Sequence, residues 1–228
     1  SISPTNFPLA GTLGFLAANA EGRLVGFSNA HVAAPTWLEN PDAPDWWKER
    51  YGLRPGAPIR QPSIGEGGTE NDYALALHAS VAPDPNRKDN ELDVAEMGVL
   101  TAASPELLGL APYTRLVELN PGMAVAKAGR TTGVTHGKVI AVDATFEIAY
   151  MRLGPVTYIG LVVIESTVQG VPFSAGGDSG SGVFSGDGLG GLLFAGSEQV
   201  TLAIPASKVF SRFGLKPPAP PESSPSPV

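Results

Sequence analysis

The chain has 228 residues, 43% of them hydrophobic, enough to bury a sizeable core as one domain or as two smaller ones sharing an interface. A net charge of −7, with no run among the 15 Lys and Arg residues, excludes the clustered basic face that a phosphate backbone requires, so no nucleic-acid partner is expected. With no cysteine there is neither a disulfide framework nor a thiolate metal site; no metal or other cofactor is called for, and the compartment stays open.

The apolar runs Ile159–Ile164 and Leu189–Ala195 fall far short of the roughly 20 residues that a membrane-spanning helix needs. No charged-then-apolar leader opens the chain, so it reads as soluble, in the cytoplasm or outside it after leader removal. Glycine (28) and proline (22) are abundant but not periodic, which points to many short strands joined by tight turns and hence to an all-β fold.

In chain order, Gly11–Ala17 and Arg23–Phe27 are short β-like runs separated by Asn19, Glu21 and Gly22, a hairpin signature that leads straight into Ser28-Asn29-Ala30-His31-Val32. From 35 to 70 the texture changes to Pro, Gly, Asp and clustered Trp, read as a long loop with one short helix around Asp45–Tyr51, either a packed surface loop or an overhang above a cleft. Strands are predicted at Asp72–Leu77 and Asp93–Leu100, each opening on an aspartate. A second β-rich half follows a polar linker, with strands at Ala124–Ala128, Lys138–Asp143, Thr157–Ser166, Gly182–Phe184, Leu189–Ala195 and Val200–Ile204. Over Ala206–Phe213 the residues Val209, Phe210 and Phe213 share one helical face. The predicted organisation is an N-terminal unit, 1–112, a C-terminal unit, 113–215, and a Pro/Ser-rich mobile tail, 216–228. Such a tail suits a groove-bearing partner or simply a linker.

The most specific feature is Gly176-Gly177-Asp178-Ser179-Gly180-Ser181-Gly182. A serine between glycines sits on a tight turn whose converging amides, here of Gly177 and Ser179, suit the oxyanion of an acyl-transfer intermediate. Serine alone is a poor nucleophile; an imidazole must accept its proton and a carboxylate must fix that imidazole. Of the three histidines, His31 follows a strand in a small-residue setting, His78 ends a strand, and His136 lies in a Gly-rich turn.

SNAHV at 28–32, LDVA at 92–95, KAGRTTG at 127–133 and GGDSGSG at 176–182 resemble, in this order, the chymotrypsin-fold (trypsin-like) serine peptidases, above all their cysteine-poor bacterial members. The resemblance runs from Gly11 to Leu215. It implies two antiparallel six-stranded barrels packed face to face, a short C-terminal helix, and a serine endopeptidase acting on protein or peptide substrates. Its catalytic residues would be His31, Asp93 and Ser179, with Gly177 and Ser179 as the oxyanion hole. The resemblance also makes Asp178 a buried structural carboxylate, to be neutralised by Lys127 or Arg130.

Sequence spacing favours Asp72 as the catalytic aspartate, by analogy with compact enzymes of the fold. The succession Gln61-Pro62, Gly67-Gly68 and Asn90-Glu91-Leu92-Asp93 favours Asp93. The substrate pocket implied by the resemblance consists of Phe173, Ser174, Ala195, Gly196 and Ser197, with Glu198 at its rim or simply exposed. None of the five is acidic, which suits small or apolar residues before the scissile bond. Two other readings stay open: a catalytically silent binding or scaffolding module, and an esterase, for which the Gly-x-Ser-x-Gly elbow is absent.

Overall fold

A computed structural model describes residues 2–4, 10–33, 58–60, 75–99, 110, 112–150 and 153–218. Six strands form the first sheet: β1 (Ser3–Pro4), β2 (Phe15–Ala18), β3 (Leu24–Ser28), β4 (Pro58–Arg60), β5 (Leu75–Val81) and β6 (Val94–Val99). They are ordered β1-β4-β5-β6-β3-β2, and every neighbour is antiparallel. The β2–β3 turn is built by Asn19, whose side-chain oxygen accepts the amides of Glu21 (3.1 Å) and Arg23 (2.8 Å), with Gly22 at φ 76°. One helical turn, α1 (Ala30–Ala33), follows β3.

The second sheet holds β7 (Arg115–Leu116), β8 (Ala124–Gly129), β9 (Gly133–Tyr150), β10 (Gly154–Ser166), β11 (Gly182–Ser185), β12 (Gly188–Gly196) and β13 (Thr201–Pro205). Its order, β11-β8-β9-β10-β13-β12, closes on itself through β11–β12 pairing into a six-stranded barrel; β7 adds a short parallel edge on β12. The chain then forms α2 (Ala206–Phe213), which ends where Gly214 adopts φ 64° and returns its amide to the Phe210 carbonyl. The fold is thus all-β, two packed barrels with a short C-terminal helix.

Three apolar clusters explain the packing. Leu13, Leu16, Leu77 and Met97 fill the first unit, and Val125, Val139, Ile164 and Leu193 fill the second. Among the described residues the largest cluster belongs to neither: Phe15, Phe27 and Val94 of the first sheet meet Tyr158, Leu161, Leu192 and Phe194 of the second, with Phe210 of α2 between them. Phe15 stacks on Phe27 at 5.1 Å and on Phe210 at 5.9 Å, each pair adding about 0.5–1.5 kcal/mol beyond its buried area. The candidate site lies along this seam.

Three elements differ from the sequence reading. Strand β4 falls inside the stretch read as loop, because three residues are too few to display an alternation. Strand β9 runs far past Asp143, where a left-handed residue (φ 52°) and a register shift opposite Tyr158–Leu161 imitate a turn. Lys216, the first residue of the expected tail, pairs with Ala18 through two backbone bonds of 2.9 Å. The helix expected at 45–51 and the tail from 219 onward lie outside the described residues.

Candidate active site

Strand β3 ends in Ser28 and is followed by Asn29, both fully buried, and α1 turns the chain so that His31 emerges with 22% of its side chain exposed. Asp93, at the start of β6, is fully buried. Its Oδ2 accepts a 2.6 Å hydrogen bond from His31 Nδ1, and its Oδ1 accepts the His31 amide at 3.0 Å. The Asn29 side chain donates to the Asp93 carbonyl at 2.9 Å, so the loop carrying the imidazole and the strand carrying the carboxylate are locked together.

Burial by itself would raise the Asp93 carboxyl, but the neighbouring imidazole and the hydrogen bonds from His31 and the Tyr150 hydroxyl outweigh it and hold the group below its ordinary value. An ionised carboxylate only accepts hydrogen bonds, so the neutral imidazole carries its proton on Nδ1 and leaves Nε2 as an acceptor. That tautomer is the one a general base requires. Asp72, the alternative, lies outside the described residues.

Ser179 comes from the loop between β10 and β11. This loop is fastened to the first unit: the Thr12 amide donates to the Ser179 carbonyl at 2.8 Å, and the Thr12 hydroxyl to the Gly177 carbonyl at 3.1 Å. Gly11 is pressed between this carbonyl and Val32, the neighbour of His31; a Cβ there would lie 2.6 Å from Val32 and 2.9 Å from the Ser179 oxygen. The Ser179 loop and the His31 turn therefore share one wall. Ser179 Oγ rests 3.4 Å from the Phe194 carbonyl, a long contact, and among the described residues no hydrogen bond joins it to His31. Hydroxyl–imidazole bonds in unliganded sites are often loose and tighten only around substrate.

The turn around Ser179 is tight and glycine-dependent. Gly177 and Gly180 hold φ values of 97° and 92°, conformations that favour glycine. Among the described residues the Gly177 and Ser179 amides have no acceptor, whereas Asp178, Gly180 and Ser181 donate to Ala175, Leu193 and Asp178 carbonyls. Two free amides thus flank a hydroxyl in a turn whose other amides are engaged.

Asp178 faces inward and is fully buried. Of the two bases proposed for it, Lys127 is the partner: its Nζ lies 3.1 Å from Asp178 Oδ2, and both side chains are 0% exposed. Arg130 is exposed and contributes its amide to the Thr12 hydroxyl at 3.0 Å. Burial tends to raise the Asp178 carboxyl; bonds from the Thr132 hydroxyl (2.7 Å) and from the amides of Ala175, Thr131 and Thr132 outweigh that and hold it below its ordinary value. Lys127 also reaches the Thr132 hydroxyl.

Of the five pocket residues, Phe173 and Ser174 are buried, Ala195 is half-buried, and Gly196 and Ser197 are exposed. The Ser174 hydroxyl bonds Thr201 at 2.6 Å, and a Cβ on Gly196 would lie 3.3 Å from that oxygen, so Ser174 and Gly196 are direct neighbours. Glu198 is exposed, as are His78, which pairs with Glu96 at 3.1 Å, and His136. Sequence reasoning missed Thr12, Thr132, Tyr150, Tyr158 and Thr201. Only Thr132 lay within a motif singled out there.

No protein-family model matches this sequence, and no curated protein matches it. Solved structures do. The chain is similar to Nocardiopsis protease, at 18% identity and TM-score 0.61, over 91% of this chain and 97% of that one. It is similar to Thermobifida fusca protease A, at 17% identity and TM-score 0.61, over 94% and 95%. A chymotrypsin from Cellulomonas bogoriensis gives 17% identity and TM-score 0.61 over 95% and 94%. The protein therefore has the chymotrypsin fold of bacterial serine proteases.

Proposed function

We propose that this protein is a serine endopeptidase whose cleft lies between an N-terminal domain, 1–112, and a C-terminal domain, 113–215. The observation that carries this reading is the 2.6 Å contact of His31 Nδ1 with buried Asp93, which leaves Nε2 as a proton acceptor beside the Ser179 turn. In the reaction His31 Nε2 takes the Ser179 hydroxyl proton while Oγ attacks the peptide carbonyl carbon. The resulting oxyanion accepts the Gly177 and Ser179 amides. His31 then gives its proton to the departing amine as the C–N bond breaks, and the acyl group remains on Ser179. Water, deprotonated by His31, attacks the ester; the acid leaves and the hydroxyl is restored. The Lys127–Asp178 pair holds the turn in register for both steps.

None of the residues assigned to the primary pocket carries a charge, and the Ser174 hydroxyl is engaged by that of Thr201 at 2.6 Å. Small or apolar side chains before the scissile bond suit such a pocket. The long Ser179–Phe194 contact favours a second reading, a catalytically silent binding module. Cleavage of an unstructured polypeptide separates the two. The peptidase reading predicts fragments from the wild type and a rate lowered by about 10⁴-fold or more in Ser179→Ala; equal behaviour of the two proteins favours the silent module.

A further inference from the structure

The acceptor Oδ2 of Asp93 is shared. Besides His31 Nδ1 it receives the hydroxyl of Tyr150, also at 2.6 Å, and the Tyr150 oxygen lies 2.7 Å from that of Tyr158. Proton counting orients the chain. Asp93 is ionised and only accepts, so Tyr150 donates its single proton to it; Tyr150 then accepts, and Tyr158 donates. Burial foremost, with the nearby Asp93 charge, raises both phenols well above their ordinary value, so neither loses its proton in this role.

Both tyrosines come from the second barrel, whereas Asp93 belongs to the first sheet. Tyr150 closes β9 and Tyr158 lies across the hairpin on β10. A clip sets their register. The Asn90 amide donates to the Thr157 carbonyl at 3.2 Å, and the Ile159 amide donates to the Asn90 carbonyl at 2.9 Å. The Asn90 side chain bonds Thr157 as well, at 3.1 Å. The ring of Tyr158 packs 4.9 Å from Phe194, whose carbonyl lies 3.4 Å from Ser179 Oγ, and the ring of Tyr150 meets His31 edge-on at 6.1 Å. One hairpin thereby touches all three candidate catalytic residues or their immediate supports.

We infer that Tyr150, held by Tyr158, is a positioning residue that shares Asp93 Oδ2 with His31, fixing the carboxylate and moderating its hold on the imidazole. The inference deepens the peptidase reading and rests on it for its effect on rate. Among the described residues the titratable groups bonded to the Asp93 carboxylate are His31 and Tyr150. An acceptor shared by two donors binds each less strongly, so removing the phenol proton strengthens the remaining Asp93–imidazolium bond.

The test compares the wild type with Tyr150→Phe and Tyr158→Phe, which keep both rings. Two readouts are needed: the pH dependence of fluorophosphonate labelling, and the proton resonance of His31 Nδ1–H in the resting protein. In Tyr150→Phe the acid limb of labelling should move up by about half a pH unit, the plateau rate should fall roughly three- to tenfold, and the resonance should move downfield. Tyr158→Phe should show smaller changes of the same sign. Resonance and acid limb unchanged in both variants would overturn the inference; so would a resonance broadened or moved upfield, which marks loosened packing alone. If the wild type is not labelled, the peptidase reading falls, and the resonance still decides the positioning role.

Discussion

At Asp178 the choice of counter-ion was undecidable from residue types, since Lys127 and Arg130 lie three apart in one motif. Strand alternation settles it: position 127 of β8 faces the barrel interior, whereas Arg130 falls in the exposed turn beyond that strand. Removing the cation paired with a buried carboxylate is strongly disfavoured, so Lys127→Met should cost about 3–5 kcal/mol in urea unfolding. Arg130→Met should stay within about 0.5 kcal/mol. Equal costs would return the assignment to the open state the sequence left it in. The expectation that Asp93 stands beside His31 rested on an aspartate opening an apolar strand, after Asn90, in a recognisable order of motifs, and the two side chains are in contact. Tyr150 and Tyr158 were not legible, because a tyrosine in a strand carries no mark of which carboxylate its hydroxyl will find across a domain seam.

Among the elements, the turn carrying Ser179 depends on backbone shapes that only glycine adopts freely. Gly180 combines φ 92° with a crowded site, since a methyl group there would collide with the Ser28 hydroxyl and the Thr12 carbonyl. Gly180→Ala should therefore lower stability by about 1–3 kcal/mol or more, and labelling of Ser179 should fall more steeply than stability because the two amides move with the turn. Calorimetry beside labelling checks this; an unchanged labelling rate in a stable Gly180→Ala protein would refute it. Strands that are continuous apolar runs bounded by turn residues, such as β2, β3 and β12, were readable to within a few residues. Short β1, β4 and β7 were not, because their two or three residues are fixed by partners distant in sequence.

At the scale of the molecule, the seam cluster is, among the described residues, larger than the core of either unit, which ties the two sheets into one structure around the site. Phe210 sits at its centre, in contact with Phe15 and Tyr113. Phe210→Ala should cost about 3–5 kcal/mol and shift a single unfolding transition. Two separated transitions would show that the units are stable independently. That the chain forms a two-part all-β fold was legible from glycine and proline use and from the order of motifs; that the seam carries the largest apolar cluster was not, because no local pattern says which sheet an apolar face will meet.

The central claim is that Asp93, through His31, activates Ser179. The most direct measurement is fluorophosphonate labelling with peptide mapping, run on the wild type beside Asp93→Ala and Asp72→Ala. The account predicts an adduct on Ser179 in the wild type and in Asp72→Ala, and labelling slowed by about 10⁴-fold in Asp93→Ala. No adduct in the wild type, or loss confined to Asp72→Ala, would contradict it.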